Sequence, residues 1–447
     1  MIDATQSIIT DLVREAAHPL TGSANDYDSL LKLIGDARFV LLGEASHGTH
    51  EFYRERARIT QRLIREKGFN AIAVEGDWPD AYRVNRYVQG DNVDPDAVQA
   101  LSGFKRFPAW MWRNADILDF VGWLRTFNDA LDLPNRIGFY GLDLYSLHAS
   151  MECVLRYLDR TDPDAAHRAR LRYACFDNFG DDPQTYGYAA GLGIRPSCEA
   201  EAVSQLVDLH RSALRYARMD GLAALERFFD AEQNARVVKD AEEYYRTMFH
   251  ESVSSWNLRD QHMVQTLDTL IEYLEVRKRA SKIVIWAHNS HVGDARATQM
   301  GRAGEWNIGQ LIRQKYSVAC LNIGFTTYSG TVTAASEWDG SAERKQVRPA
   351  RADSYEGLFH QVGVPAFLLN LKEDSHVFNG LRKPMLERAI GVVYLPASEL
   401  ASHYFHARLS DQFDAIIHFD QTRAVEPLEP IGTGAFGEPA ETFPSGI

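Results

Sequence analysis

The stretch Arg38-Phe-Val-Leu-Leu-Gly-Glu-Ala-Ser-His-Gly-Thr-His50 decides the fold. Four consecutive apolar residues stopped by glycine suit a strand buried on both faces, because a half-exposed strand would alternate. Three further runs share this form: Asn70-Ala-Ile-Ala-Val-Glu75, Arg136-Ile-Gly-Phe-Tyr-Gly-Leu-Asp143 and Lys282-Ile-Val-Ile-Trp-Ala287. Helical composition lies between them, at 50–66, at 77–88 and at 114–131, where Phe120, Trp123 and Phe127 are three and four apart. Asp77 is the expected N-cap of the second of these helices, with Pro79 in its first turn. Short helices are expected at 7–16 and 27–34, and a further one at 307–315. Residues 316–323, 366–370, 391–395 and 413–418 are candidate strands. Apolar strands alternating with helices predict an α/β fold, a largely parallel central sheet flanked by helices.

From Ser146 to about Ala280 strand signals nearly vanish. A helical insertion or cap is expected there, interrupted by a loop between Phe176 and Ser197. The expected organisation is an α/β core over 1–145, the helical cap over 146–280, the second part of the core over 281–425, and an irregular tail over 426–447. That tail holds a Gly432-to-Gly437 string of the GxGxxG type, but not between a strand and a helix, so it is not read as a nucleotide site.

Lysine plus arginine total 48 and aspartate plus glutamate 61, a formal net charge of −13. Such a surface repels polyanions, so nucleic acid is a poor partner. No run of 18 apolar residues predicts a membrane span, and the N-terminus lacks the pattern of a secretory signal. Cys153, Cys175, Cys198 and Cys320 are scattered without a CxxC pair, so reduced thiols in a cytoplasmic protein are expected.

The chemistry stands at the strand ends. The first run leads into Glu44, His47 and His50, the second ends in Glu75, the third in Asp143, and the fourth leads into His288 and His291. In a parallel sheet, ligands bind outside the carboxyl ends of the strands, so these four sets should converge. A carboxylate after a strand is often just a helix cap, and Asp143 fits that reading equally well. Glu44 and Glu75 follow very apolar runs and need a buried partner, for which histidine is suited. Imidazole takes a proton from water near neutrality, and a carboxylate fixes its tautomer and stabilises the imidazolium. Of Arg54, Arg56 and Arg58, at least one should face the strand ends. Trp78, Trp110, Trp112 and Tyr328 are candidates to line an apolar cleft, although ordinary core packing accounts for each one singly.

No GxSxG elbow, HExxH or Walker A loop is present. A metal remains a rival, since His47 with His50 and His288 with His291, together with Glu44 and Glu75, offer three or four ligands.

The block GEASHGTHEFYRERARITQRLIREKGFNAIAVEGDW, with GLDLYS and IVIWAHNSHV, resembles the erythromycin esterase and succinoglycan-biosynthesis-related family. The resemblance spans about Tyr27 to Phe419. It implies hydrolysis of an ester or lactone, in characterised members that of macrolides, by histidine-activated water without an acyl-enzyme. It assigns the base to His47, carboxylates to Glu44 and Glu75, a second catalytic histidine to His288 and the helix arginine to Arg56. His50, His291, Asp143, Trp78 and Trp112 are then binding or supporting residues, and no cofactor is expected. The alternatives are a metal-dependent hydrolase of a phosphate or glycan derivative, and a non-catalytic binding protein linked to polysaccharide metabolism.

Overall fold

The computed structural model describes residues 4–179, 182–217, 221–249, 252–277, 280–372 and 375–429, so most of the expected tail, with its GxGxxG string, lies outside the described residues. The strands are β1 (His18–Pro19), β2 (Phe39–Leu42), β3 (Ala71–Asp77), β4 (Gly138–Asp143), β5 (Ile283–Trp286), β6 (Cys320–Ala334), β7 (Glu343–Val347), β8 (Ala366–Asn370), β9 (Met385–Arg388), β10 (Tyr404–Ala407) and β11 (Ala415–Thr422). Nine of them form one sheet in the order β1-β8-β11-β6-β2-β5-β3-β4, with β7 on the far part of β6. From β11 through β4 every pair is parallel, while β8 and β1 close one edge antiparallel. β9 and β10 make a separate antiparallel pair.

The four central strands are buried along their whole length. Their side chains divide by parity, as a strand's period of two demands. Val40, Leu42, Ile72, Val74 and Trp286 enter one core, and Phe39, Leu41, Ala71, Ala73 and Ile285 the other. Burial of each Val, Leu, Ile or Phe among them contributes about 1.5–3 kcal/mol, which is why the runs leading up to Glu75 and Asp143 hold no charged residue. β5 slots between β2 and β3 although it comes far later in the chain. The ends of β2, β5, β3 and β4 are thereby neighbours.

Two glycines explain the shape of the turn after β2. A Cβ on Gly43 would overlap the side chain of Asn289, and one on Gly48 would overlap the Thr333 backbone. Asn289 needs that room, because it stitches the β2 turn to β6. Its backbone N–H donates to the Glu44 carbonyl (2.8 Å), and its side chain brackets Phe325 in both directions.

Between Leu147 and Val276 the described residues form helices only, around a core of their own. Several expectations are corrected here. The 176–197 loop is partly helical, with Pro183–Gly191 begun by a proline and capped by Asp182. Cys175 and Cys198, at the two ends of that segment, form a disulfide, so the cysteines are not four reduced thiols; Cys153 and Cys320 are free. A separation of 23 residues carries no spacing signature, and only the fold brings the pair together. Residues 391–395 are not a strand. They pair through Ala335 alone, and their valines are apolar because they wall a cavity. The strand expected at 316–323 starts at Cys320, after a tight turn, and runs on to Ala334. Among the described residues no helix is long and apolar enough to cross a membrane.

Candidate active site

A cavity of about 470 Å³ opens over the carboxyl ends of β2, β5, β3 and β4. His47 reaches it from the turn between β2 and the His50–Lys67 helix. That turn is pinned from beneath, where the Tyr53 hydroxyl donates to the His47 carbonyl (3.0 Å). His47 Nδ1 lies 3.0 Å from Glu44 Oε1, and Glu44 Oε2 accepts from Arg56 Nη2 at 2.7 Å. Glu44 and Arg56 are both fully buried. An ionised carboxylate accepts only, so Nδ1 carries the proton and the Nε2 lone pair is left to the cavity. Arg56 supplies the countercharge that makes a buried Glu44 tolerable, and it lies over the rings of Tyr53 (4.4 Å) and Trp286 (5.1 Å). It does not reach the cavity wall, so it can orient the carboxylate but not a substrate carbonyl. Arg54 and Arg58 both turn to Glu55 instead.

His288 follows β5, and its ring centre is 4.9 Å from that of His47. Its Nδ1 accepts from the Ser290 backbone N–H (3.2 Å) and lies 2.8 Å from Ser290 Oγ. The neutral ring must then carry its proton on Nε2, which is buried against the Ala45 backbone. Burial, reinforced by nearby His47, pushes the His288 pKa well below the ordinary histidine value. The geometry thus sets opposite tautomers for the two neutral forms, His47 then offering a lone pair and His288 an N–H.

Behind them lies a charge network. Glu75 Oε2 accepts the His288 backbone N–H (2.8 Å), and Glu75 Oε1 takes Arg259 Nη2 (2.7 Å). Arg259 also grips Asp143 with two bonds, of 3.0 and 2.6 Å. Asp143 is therefore a partner of this arginine rather than a helix cap. His291 Nδ1 faces Asp260 at 2.9 Å, and its Nε2 lies between Arg259 Nη1 (3.1 Å) and Glu75 Oε1 (3.4 Å). Burial works against charge on His291, but Asp260 and Glu75 outweigh it and push the pKa up to about 9. Glu75 is held well below the usual carboxylate range, because His291 and Arg259 outweigh its burial. Asp77 stands at the N-cap of the Trp78–Val88 helix as expected, but its side chain makes no capping bond. Its carboxylate turns to Arg106 (2.9 Å), and burial, with Asp143 close by, raises its pKa against that pull.

The opposite wall is apolar, with Phe107, Met111, Trp112, Trp338, Val392 and Val393. Trp112 is fixed by its Nε1 donating to the Glu75 carbonyl (3.2 Å). The 390–395 segment is anchored beside the motif turn, where the Ile390 N–H donates to the Ala45 carbonyl (2.8 Å).

The structure brings together His47, Glu44, Arg56, Glu75, His288, His291, Asp143 and Trp112. It does not bring in His50, which pairs with Asp116 (2.8 Å) and Arg423 (2.8 Å) away from the cavity. Trp78 packs in the core on Tyr82, Tyr140 and Phe229, with Nε1 on Asp230. Tyr328 stacks on His360 instead, and Trp110 meets Phe107 edge to face. The two HxxH pairs therefore do not gather, and among the described residues no three His, Cys, Asp or Glu side chains are arranged to hold a metal ion. Sequence reasoning missed Arg106, Arg259, Asp260 and Trp256. A signal for two of them existed: neither Arg259 nor Asp260 has an opposite charge three or four residues away on its helix, so each had to find a remote partner.

An erythromycin esterase family model matches residues 64–422. The chain is 21% identical over 436 residues to an erythromycin esterase type II of Escherichia coli, covering 90% of this chain and 94% of that protein. It is also 21% identical over 424 residues to a putative hydrolase of Bacillus subtilis strain 168, covering 91% of this chain and 89% of that one. A solved succinoglycan biosynthesis protein superposes with a TM-score of 0.77 at 21% identity, over 95% of this chain and 100% of that one.

Proposed function

Because this chain belongs to the erythromycin esterase family and is thereby a hydrolase, we propose that it cleaves an ester or lactone bond with water activated by His47. The observation that carries the reading is the chain Arg56–Glu44–His47, which leaves one basic nitrogen facing a cavity. In this reading His47 Nε2 takes a proton from water as the water attacks the carbonyl carbon. Glu44 stabilises the imidazolium that forms. His288 Nε2–H donates to the carbonyl oxygen as it becomes an oxyanion. Collapse of the tetrahedral intermediate expels the alkoxide, which recovers the proton from His47. No side chain forms a bond to the acyl group.

Glu75 and Asp143 do not supply spare negative charge to a metal, since Arg259 lies between them. The apolar wall suits the hydrocarbon part of a macrolide or a simpler lactone. The proposed partner is thus a small molecule, with no cofactor. The test is incubation of the protein with macrolides, simple lactones and aryl esters, with and without chelator, read by mass spectrometry. Gain of one water, insensitive to chelator, is the expected result. Failure across all three classes, or loss of turnover with chelator, would overturn the reading.

A further inference from the structure

The Ser252–Val276 helix serves two cavities. Trp256 and Arg259 line the one already described, and a neighbouring stripe faces a second cavity of about 420 Å³ toward the Gly221–Thr247 helix. The floor of the second cavity is polar and fixed. His262 Nδ1 lies 2.6 Å from Asp240 Oδ2, and Lys239 Nζ binds Asp240 Oδ1 (2.7 Å) and approaches Glu243 (3.5 Å). The lysine charge is thus spent on two carboxylates, and an anionic ligand gains nothing from it. Gln261 and Gln265, one turn apart, line the cavity and make no side-chain hydrogen bond with another described residue.

Trp306 borders the same cavity and is 39% exposed, unusual for so large an apolar ring. It is not loose. Its Nε1 donates to the Asn257 carbonyl (3.2 Å), its backbone N–H donates to Asn257 Oδ1 (2.8 Å), and its carbonyl accepts from Trp256 Nε1 (2.9 Å). An exposed indole held at several points has lost its freedom before any ligand arrives, which lowers the entropic cost of stacking on it.

We propose that this second cavity binds a neutral sugar, with a pyranose ring stacked on Trp306 and its hydroxyls bonded to Gln261, Gln265 and Glu243. A pyranose has one C–H-rich face and a rim of hydroxyls that both donate and accept. Side-chain amides match that rim because they also do both. The indole face matches the C–H surface. The proposal does not rest on the reading of the hydrolytic cavity.

The test is binding of D-glucose, D-galactose and N-acetylglucosamine to the full chain, by saturation-transfer NMR and calorimetry. At least one sugar should bind saturably with a millimolar-range Kd. Trp306→Ala should weaken it by about tenfold or more. Should that variant fold poorly by circular dichroism, the Gln261→Ala/Gln265→Ala variant gives the same test on partly exposed helix positions. His47→Ala should bind sugar as the wild type does. The proposal fails if none of the three sugars saturates, if binding survives the Trp306 and glutamine substitutions, or if His47→Ala abolishes it, which would put the sugar in the hydrolytic cavity.

Discussion

Glu44→Gln is the sharpest perturbation the site offers, because it changes charge with almost no change of shape. Glu44 uses one oxygen for His47 and the other for Arg56, and nothing at Glu44 or Arg56 touches solvent. An amide cannot serve both. If its oxygen stays on Arg56, its NH2 faces His47 Nδ1 and forces the histidine proton onto Nε2, where the base must have its lone pair. If it is flipped, an N–H faces a guanidinium N–H. The first arrangement is the less costly, and it should lower kcat by about 10³–10⁴, as for a triad carboxylate changed to its amide. Stability should fall too. A buried guanidinium stripped of its countercharge costs about 3–5 kcal/mol. At about 2 cal/mol/K of unfolding entropy per residue, a chain of 447 residues then loses about 4 °C in Tm. Calorimetry and steady-state kinetics read the two effects separately. Adding Arg56→Met should restore part of the Tm while leaving kcat low. A Glu44→Gln enzyme with kcat within tenfold of wild type would refute the tautomer argument.

Other outcomes follow from the same geometry. His288→Ala should lower kcat by about 10²–10³ with little change in KM, since its N–H is offered to the transition state; a pure KM effect would assign it to binding. His291, raised to about 9, gains stability as imidazolium that is fully present below its unfolded value near 6.5 and fades as pH rises through 9. Asp260→Asn removes its main anionic partner, so the alkaline loss of Tm expected of the wild type should move to lower pH; an unchanged Tm–pH curve would contradict that role. Burial, with Glu356 beside it, raises the pKa of Glu387 well above the carboxylate range, so its folded form keeps a proton that the unfolded chain releases. Stability therefore drops as pH rises above about 4.5, and Glu387→Gln should raise Tm at pH 7–8 but not at pH 4.

The central strands could be read from the sequence because they are buried on both faces, and burial leaves an unbroken apolar run. Convergence of Glu44, Glu75, Asp143 and His288 was legible for the same reason, since parallel strands put their ends on one side. The insertion of β5 between β2 and β3 was not, because pairing order is set by packing across the sheet and leaves no local trace. Val392 and Val393 misled, since a residue lining a cavity and one lining a strand face the same demand for apolar surface. Trp78 misled in the opposite way, as an indole in the core and one in a cleft look alike until the neighbours are known. Arg259 and Asp260 sit mid-helix among residues that read as an ordinary amphipathic stretch, and their partners lie on β3, on β4 and in the turn after β5.

The central claim is that His47 Nε2 removes the proton from water. Its most direct test is kcat/KM of His47→Ala, with circular dichroism to establish folding, measured with and without added imidazole on a substrate the wild type turns over. The account predicts kcat/KM lowered by about 10²–10⁴, partly restored by imidazole in proportion to its free-base fraction as pH is varied. A folded His47→Ala enzyme that keeps more than about a tenth of wild-type activity without imidazole, beyond the range that loss of a general base allows, would contradict it.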